Sequence, residues 1–158
     1  MGCISNVSHG KTSARLPNHS HREHEIIYIH RGSLQLETAQ GLLDIDRPTL
    51  ISIGNLEKHA LRSKQDYERF VVTLKPEHFP PDEEQLSLFF LPQFQVLDVS
   101  DDAQNLYCLF SMLQEEFVAQ GQQSEGGCIL LLQTILLRLL RGYPECFPTG
   151  GSGITLTV

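Results

Sequence analysis

The segment most informative about the fold is His19-Ser20-His21-Arg22-Glu23-His24-Glu25-Ile26-Ile27-Tyr28-Ile29-His30-Arg31-Gly32. Its segment from Glu25 to His30 is rich in β-branched and aromatic residues, which predicts a buried strand that ends at Arg31-Gly32. Histidine and carboxylate side chains precede that strand. The segment therefore predicts a buried strand that begins next to a polar site, whose histidine and carboxylate side chains are suited to binding or catalysis.

The histidines are spaced for metal binding. If one continuous strand runs from His19, then His19, His21 and Glu25 have the same parity and project from one face. His59, after the next buried strand and its turn, supplies a fourth donor. Three imidazoles and one carboxylate suit Zn, Ni, Mn or Fe. Metal-free histidines at a strand entrance are the alternative.

The following segment consists of short apolar runs separated by turn residues, which is typical of an all-β domain. Leu34 and Leu36 alternate with polar neighbours, and Leu43 and Ile45 do the same after a turn, which predicts a hairpin. Further strands are predicted at 49–53 and within 67–74. Short strands at this spacing indicate a sandwich or a barrel.

After Ser100 the apolar period becomes helical. One helix is predicted up to Gly121, and a second from Glu125 or Gly127 to Arg141. The second helix is apolar on nearly every side and must be covered all round, which favours a homodimer formed through the helices. Cover by the loop 77–99 is the alternative. The predicted dimer interface consists of Leu132, Ile135, Leu136 and Leu139.

Length and composition indicate one globular domain. The 158 residues include 12 Lys and Arg against 19 Asp and Glu, a net charge of −7, and 41% are hydrophobic. This balance excludes wholesale disorder and disfavours a chain that grips nucleic acid phosphates by itself. No apolar stretch is long enough to span a bilayer, and the four cysteines form no disulfide or zinc pattern. We therefore expect a cytoplasmic protein with no membrane partner.

Two motifs carry a family resemblance. The spacing His19-x-His21-x3-Glu25-x6-Gly32 resembles the first conserved motif of the cupin superfamily, with Ser13 in place of its leading glycine. His59 is the candidate for the histidine of the second cupin motif. A cupin barrel followed by a Leu-rich helical pair is similar to the sensor half of AraC-type transcriptional regulators, over about residues 16–142.

The resemblance implies a mainly β fold: a small cupin jelly-roll β-barrel followed by a C-terminal pair of antiparallel α-helices. It divides the single domain into an N-terminal arm at 1–17, the barrel at 18–99, a helical dimerisation region at 100–142 and a linker or tail at 143–158. In such a protein a small-molecule effector would lie against Glu25, Ile27 and Ile29.

The implied function is effector binding and dimerisation without catalysis. DNA would be contacted only through a helix-turn-helix domain that these residues do not contain. The alternative is a stand-alone metal-dependent cupin enzyme, a dioxygenase or an isomerase, with its metal on the four predicted ligands.

Overall fold

The structure is a computed structural model that describes residues 2–13, 16–19, 23–54, 58–80 and 94–144. The side chains of residues 16–19 and 94 lie outside this description. The described part of the chain forms nine strands, two short 3₁₀ turns at Pro76–His78 and Ser100–Asp102, and two α-helices. The strands are β1 (Ile4–Gly10), β2 (Leu16–His19), β3 (His24–Arg31), β4 (Leu34–Thr38), β5 (Gly41–Ile45), β6 (Thr49–Ile53), β7 (His59–Arg62), β8 (Glu68–Leu74) and β9 (Phe94–Asp98). The helices are α1 (Ala103–Ala119) and α2 (Ser124–Gly142).

The strands form two antiparallel sheets. One has the order β1-β8-β3-β6-β9 and the other the order β2-β7-β4-β5. This is the arrangement of a jelly roll, in which one sheet contains β1, β8, β3 and β6 and the other contains β2, β7, β4 and β5. Here β9 is added at one edge. The predicted mainly β fold, with a jelly-roll barrel and two C-terminal helices, is confirmed.

The turn after β3 requires a glycine. Gly32 has φ 119°, a left-handed conformation that side chains rarely adopt, and a Cβ there would overlap Tyr67. The chain then enters the predicted hairpin of β4 and β5, in which Leu34 pairs with Ile45 and Leu36 with Leu43. The glycine of the sequence motif is therefore explained by local geometry.

Two apolar cores result, one on each side of the five-stranded sheet. The barrel core lies between the sheets and includes Ile27, Ile29, Leu36 and Leu61. The helix core lies between the outer face of the five-stranded sheet and the two helices. It includes Ile26, Tyr28, Leu50, Phe70, Phe110, Leu113, Leu132, Ile135, Leu136 and Leu139. Because both faces of β3 are covered, its central residues Ile26–Ile29 are apolar without alternation.

The helices form an antiparallel pair fixed to the sheet. Their predicted extents agree with the structure, and Gln120 ends α1 in a left-handed conformation. The Arg138 guanidinium of α2 donates two hydrogen bonds of 2.8 Å to the Asp102 carboxylate ahead of α1. Among the described residues, no helix is long and apolar enough to cross a membrane.

The four residues predicted for the dimer interface lie inside this chain. Leu132, Ile135, Leu136 and Leu139 are fully buried within this one chain, in the helix core. The five-stranded sheet and α1 supply the cover that the sequence alone could not locate. These four residues are therefore core residues rather than a surface for a second chain.

Part of the predicted arm also belongs to the barrel. Within residues 1–17, Ile4–Gly10 forms β1, which pairs with β8 along the edge of the five-stranded sheet. Ile4 and Val7 are buried in the helix core. This portion is therefore an edge strand that pairs with β8 and packs its apolar side chains into the helix core.

Candidate functional site

Two of the predicted ligands, Glu25 and His59, meet inside the barrel. Glu25 lies on β3 with the same parity as Ile27 and Ile29, and His59 lies on β7 two positions from Leu61. The distance from His59 Nε2 to Glu25 Oε1 is 2.7 Å, and the two side chains are 2% and 8% exposed. A carboxylate and an imidazole removed from water to this extent need such a bond, because burying either group without one is unfavourable.

The other two predicted ligands are arranged differently. We expected His19, His21 and Glu25 on one continuous strand, and that expectation is wrong. His19 ends β2 in the four-stranded sheet, whereas Glu25 lies near the start of β3 in the five-stranded sheet. The backbone of His19 is the register partner of His59. His21 and the side chain of His19 lie outside the described residues.

Of the four predicted metal ligands, the structure describes the side chains of Glu25 and His59. In that part of the chain, no group of three or more His, Cys, Asp or Glu side chains could hold an ion. Glu25 and His59 are donors of a suitable type, and they bond to each other. The metal and its four ligands stay a prediction.

The predicted effector wall lies inside the barrel. Ile27 and Ile29 are fully buried, and Ile51 and Ile53 of β6 flank them in register. Tyr67 joins the same apolar cluster. The barrel interior thus combines an apolar lining with one carboxylate–imidazole pair.

A second buried polar group lies on the opposite face of the sheet. His24 Nε2 is 2.7 Å from Ser52 Oγ, and both residues are buried. Gln95 of β9 is the register partner of Ser52 and is also buried. Strand parity placed His24 on the face opposite Glu25, where we expected solvent or the surface, but the helices cover that face and bury His24.

Sequence analysis also missed a polar junction at Glu68. This buried carboxylate accepts a hydrogen bond from His9 Nε2 at 2.6 Å and another from Arg31 Nη2 at 3.2 Å. The Tyr107 side chain of α1 also lies beside this carboxylate, in a position to lower its pKa by hydrogen bonding. Burial raises the pKa of Glu68, but the bonds to His9 and Tyr107 outweigh burial and hold the pKa below its ordinary value. An acidic residue at the start of a strand that continues with Phe70, Val71 and Val72 was the available signal in the sequence.

The chain belongs to the AraC-like ligand binding domain family. The family match covers residues 7–140, which includes the barrel and nearly all of both helices. A search of curated protein sequences finds no match. The AraC-type resemblance and the effector-binding class of the domain are therefore confirmed.

Solved structures with similarity to this chain include a regulator and two cupin-type proteins, and the first of them supports the fold. Apo ToxT K231A from Vibrio cholerae is similar at 14% identity and a TM-score of 0.53, over 97% of this chain and 59% of that one. A cupin-2 domain containing protein from Shewanella frigidimarina has 14% identity and a TM-score of 0.41, over 48% and 74% of the two chains. A predicted oxalate decarboxylase from Thermotoga maritima has 18% identity and a TM-score of 0.42, over 46% and 67%. The chain thus spans less than two thirds of the ToxT chain.

Proposed function

We propose that this chain is the effector-sensing part of an AraC-type transcription regulator. In this proposal a small molecule occupies the barrel interior, and a domain other than the one described here contacts DNA. The family match supports ligand binding, and the similarity to ToxT supports the arrangement of barrel and helices.

The observation that carries the proposal is the pairing of Glu25 with His59 in an apolar interior. Binding sites for small molecules are mostly apolar and contain a few polar groups that fix orientation. The ligand class that fits has an apolar body and one polar group. That group would exchange bonds with the Glu25 carboxylate or the His59 imidazole.

We propose sensing rather than catalysis for the same site. The family to which the chain belongs is defined by ligand binding, and a buried pair whose members bond to each other can orient a ligand without performing chemistry on it. The metal-dependent enzyme predicted as the alternative needs the metal, which stays a prediction.

The test is retention of a small molecule from a cell metabolite extract. Purified chain is incubated with the extract, separated from unbound compounds by gel filtration and analysed by mass spectrometry. We expect one compound to be retained, and retention to fall about tenfold or more in Glu25→Gln because a buried charge-assisted bond is lost. Glu37→Gln is the matched control, since that carboxylate pairs with Arg62 rather than with His59. Equal retention by Glu25→Gln, or none by the parent chain, would contradict the proposal.

We also propose a homodimer formed through the outward faces of the helices. Leu130 on α2 and Met112 on α1 are exposed apolar side chains there, whereas the residues first predicted for the interface are buried in the chain. Single exposed apolar residues are common, so the proposal rests on their occurrence on both helices of the pair.

A further inference from the structure

The Glu68 carboxylate connects four separate elements of the structure. Glu68 itself lies at the start of β8, His9 on β1, Arg31 at the end of β3 and Tyr107 in the second turn of α1. The Glu68 side chain is 4% exposed, whereas that of Arg31 is 73% exposed. The bond to His9, whose side chain is 22% exposed, is therefore less screened by solvent than the bond to Arg31.

Ring contacts join the same residues. The His9 imidazole stacks on Phe70 with centroids 4.1 Å apart, and its distance to the Tyr107 ring is 6.3 Å, edge-on. Tyr107 also packs against His30 of β3 at 4.2 Å. One helix residue thus contacts β1, β3 and the buried carboxylate at once.

Strand β3 extends this contact to the barrel interior. Ile27 and Ile29 face the interior, and the alternate residues Tyr28 and His30 face α1. The Tyr28 hydroxyl donates a hydrogen bond of 3.0 Å to the Ala103 carbonyl at the start of α1. A displacement of β3 by a bound molecule would therefore act directly on the first turns of α1.

We propose that Glu68 is a positioning residue that ties strand β1 and helix α1 to strand β3, so that the three elements move together. A ligand in the barrel is the trigger, and in this respect the inference rests on the proposed function. The tie itself exists without ligand, because all of its contacts lie within the chain. Loss of one partner weakens the others, since a buried carboxylate needs its bonds simultaneously.

The test measures coupling by hydrogen exchange of the ligand-free full chain, read by mass spectrometry. His9→Ala is expected to raise exchange about twofold or more in β1 and also in the first half of α1, as for groups in one hydrogen-bond network. Tyr107→Phe is expected to raise exchange in β1 in the same way. Ser5→Ala, whose hydroxyl bonds to Thr73 on the same pair of strands, should affect β1 only. Glu115→Ala, at an exposed position of α1, should leave β1 unchanged.

A double-mutant cycle with Glu68 distinguishes coupling through the Glu68 carboxylate from a general loss of stability. In Glu68→Ala, addition of His9→Ala should produce no further rise in α1, and Glu68→Gln should restore part of the coupling because it keeps one of the two acceptor oxygens. If Glu68→Ala does not fold, the cycle is measured in Glu68→Gln, where we expect a reduced but additional rise. A His9→Ala effect confined to β1, one that persists in full without the Glu68 carboxylate, or an equal rise in β4 and β5 would overturn the inference. Because no ligand is used, this result is independent of the Glu25 retention test.

Discussion

Gln95 shows at the scale of one residue how burial can work against stability. Its side chain is 3% exposed, and within the part of the chain that the structure describes nothing bonds to its Nε2. A buried amide without a partner has lost its hydrogen bonds to water and gained none. This burial was not predictable from the sequence, because a polar residue in an edge strand normally faces solvent.

The corresponding prediction is that Gln95→Leu stabilises the fold. We expect the free energy of unfolding to rise by about 1 kcal/mol, because the unpaired amide is replaced by an apolar group of similar size. Urea denaturation followed by circular dichroism measures this. The exposed residue Gln35, which bonds to Asp44 on the surface, provides the control Gln35→Leu, with an expected change within about 0.5 kcal/mol. A loss of stability in Gln95→Leu would show that the amide makes a bond in the folded protein.

The spacing of histidines and carboxylates in the sequence predicted that Glu25 and His59 belong to one site, and the structure brings these two residues together. The same reasoning did not predict that Glu25 bonds to His59 directly. Spacing along a chain specifies which side chains share a strand face, whereas a contact between β3 and β7 depends on how the two sheets stack.

At the scale of elements, strand β8 contains one buried carboxylate, whose ionisation affects the stability of the fold. Glu68 lies among His9, Lys11, Arg31 and Tyr107, and His9 and Tyr107 keep its pKa below the ordinary value of 4.5 despite burial. A carboxylate with a depressed pKa in the folded state stabilises the protein above its unfolded pKa. That stabilisation is lost as the pH falls through the folded pKa.

We therefore predict a pH-dependent effect of Glu68→Gln. The variant should lower the free energy of unfolding by about 1–3 kcal/mol at pH 7, and the difference from the parent chain should shrink steadily below about pH 4.5. Urea denaturation over a series of pH values measures both quantities. Glu37→Gln, on the outer face of the four-stranded sheet, should show a smaller difference at pH 7. A Glu68→Gln difference that stays constant down to pH 3 would contradict the assignment.

The elements themselves were predictable to different degrees. Both helices follow from apolar residues at helical spacing, and the β4–β5 hairpin follows from alternation around a turn. The continuous strand from His19 was wrong because alternation of parity does not show where a chain leaves one sheet for another. β2 and β3 are consecutive in sequence but belong to different sheets.

At the scale of the whole molecule, the helices are covered on one side by the chain's own barrel. α2 packs its most apolar face into the helix core, and Leu130, 66% exposed, marks the opposite side. A helix that is apolar nearly all round therefore has two kinds of cover: the sheet and α1 within the chain, and the second copy that we propose.

The dimer proposal predicts that Leu130→Glu shifts the molar mass in solution toward that of one chain. A charge placed on an interface is desolvated and opposes association. Analytical ultracentrifugation measures the mass, and circular dichroism checks that the variant is folded. Leu42→Glu is the control, because Leu42 is similarly exposed, at 60%, but lies on β5. A folded Leu130→Glu variant with the mass of the parent chain would place any interface elsewhere.

The sequence by itself determined the class of fold, the two helices, the strand that carries Glu25 and the family resemblance. These features depend on residue types and on periodicity along the chain, which are local properties. The packed structure was needed to show that Glu25 bonds to His59, that Glu68 bonds to His9 of β1, and that the residues Leu132, Ile135, Leu136 and Leu139 are covered within one chain. These features depend on which surfaces meet when sheets and helices pack. That outcome is set by the total burial of apolar area and by the pairing of buried polar groups over the whole molecule, not by any single segment.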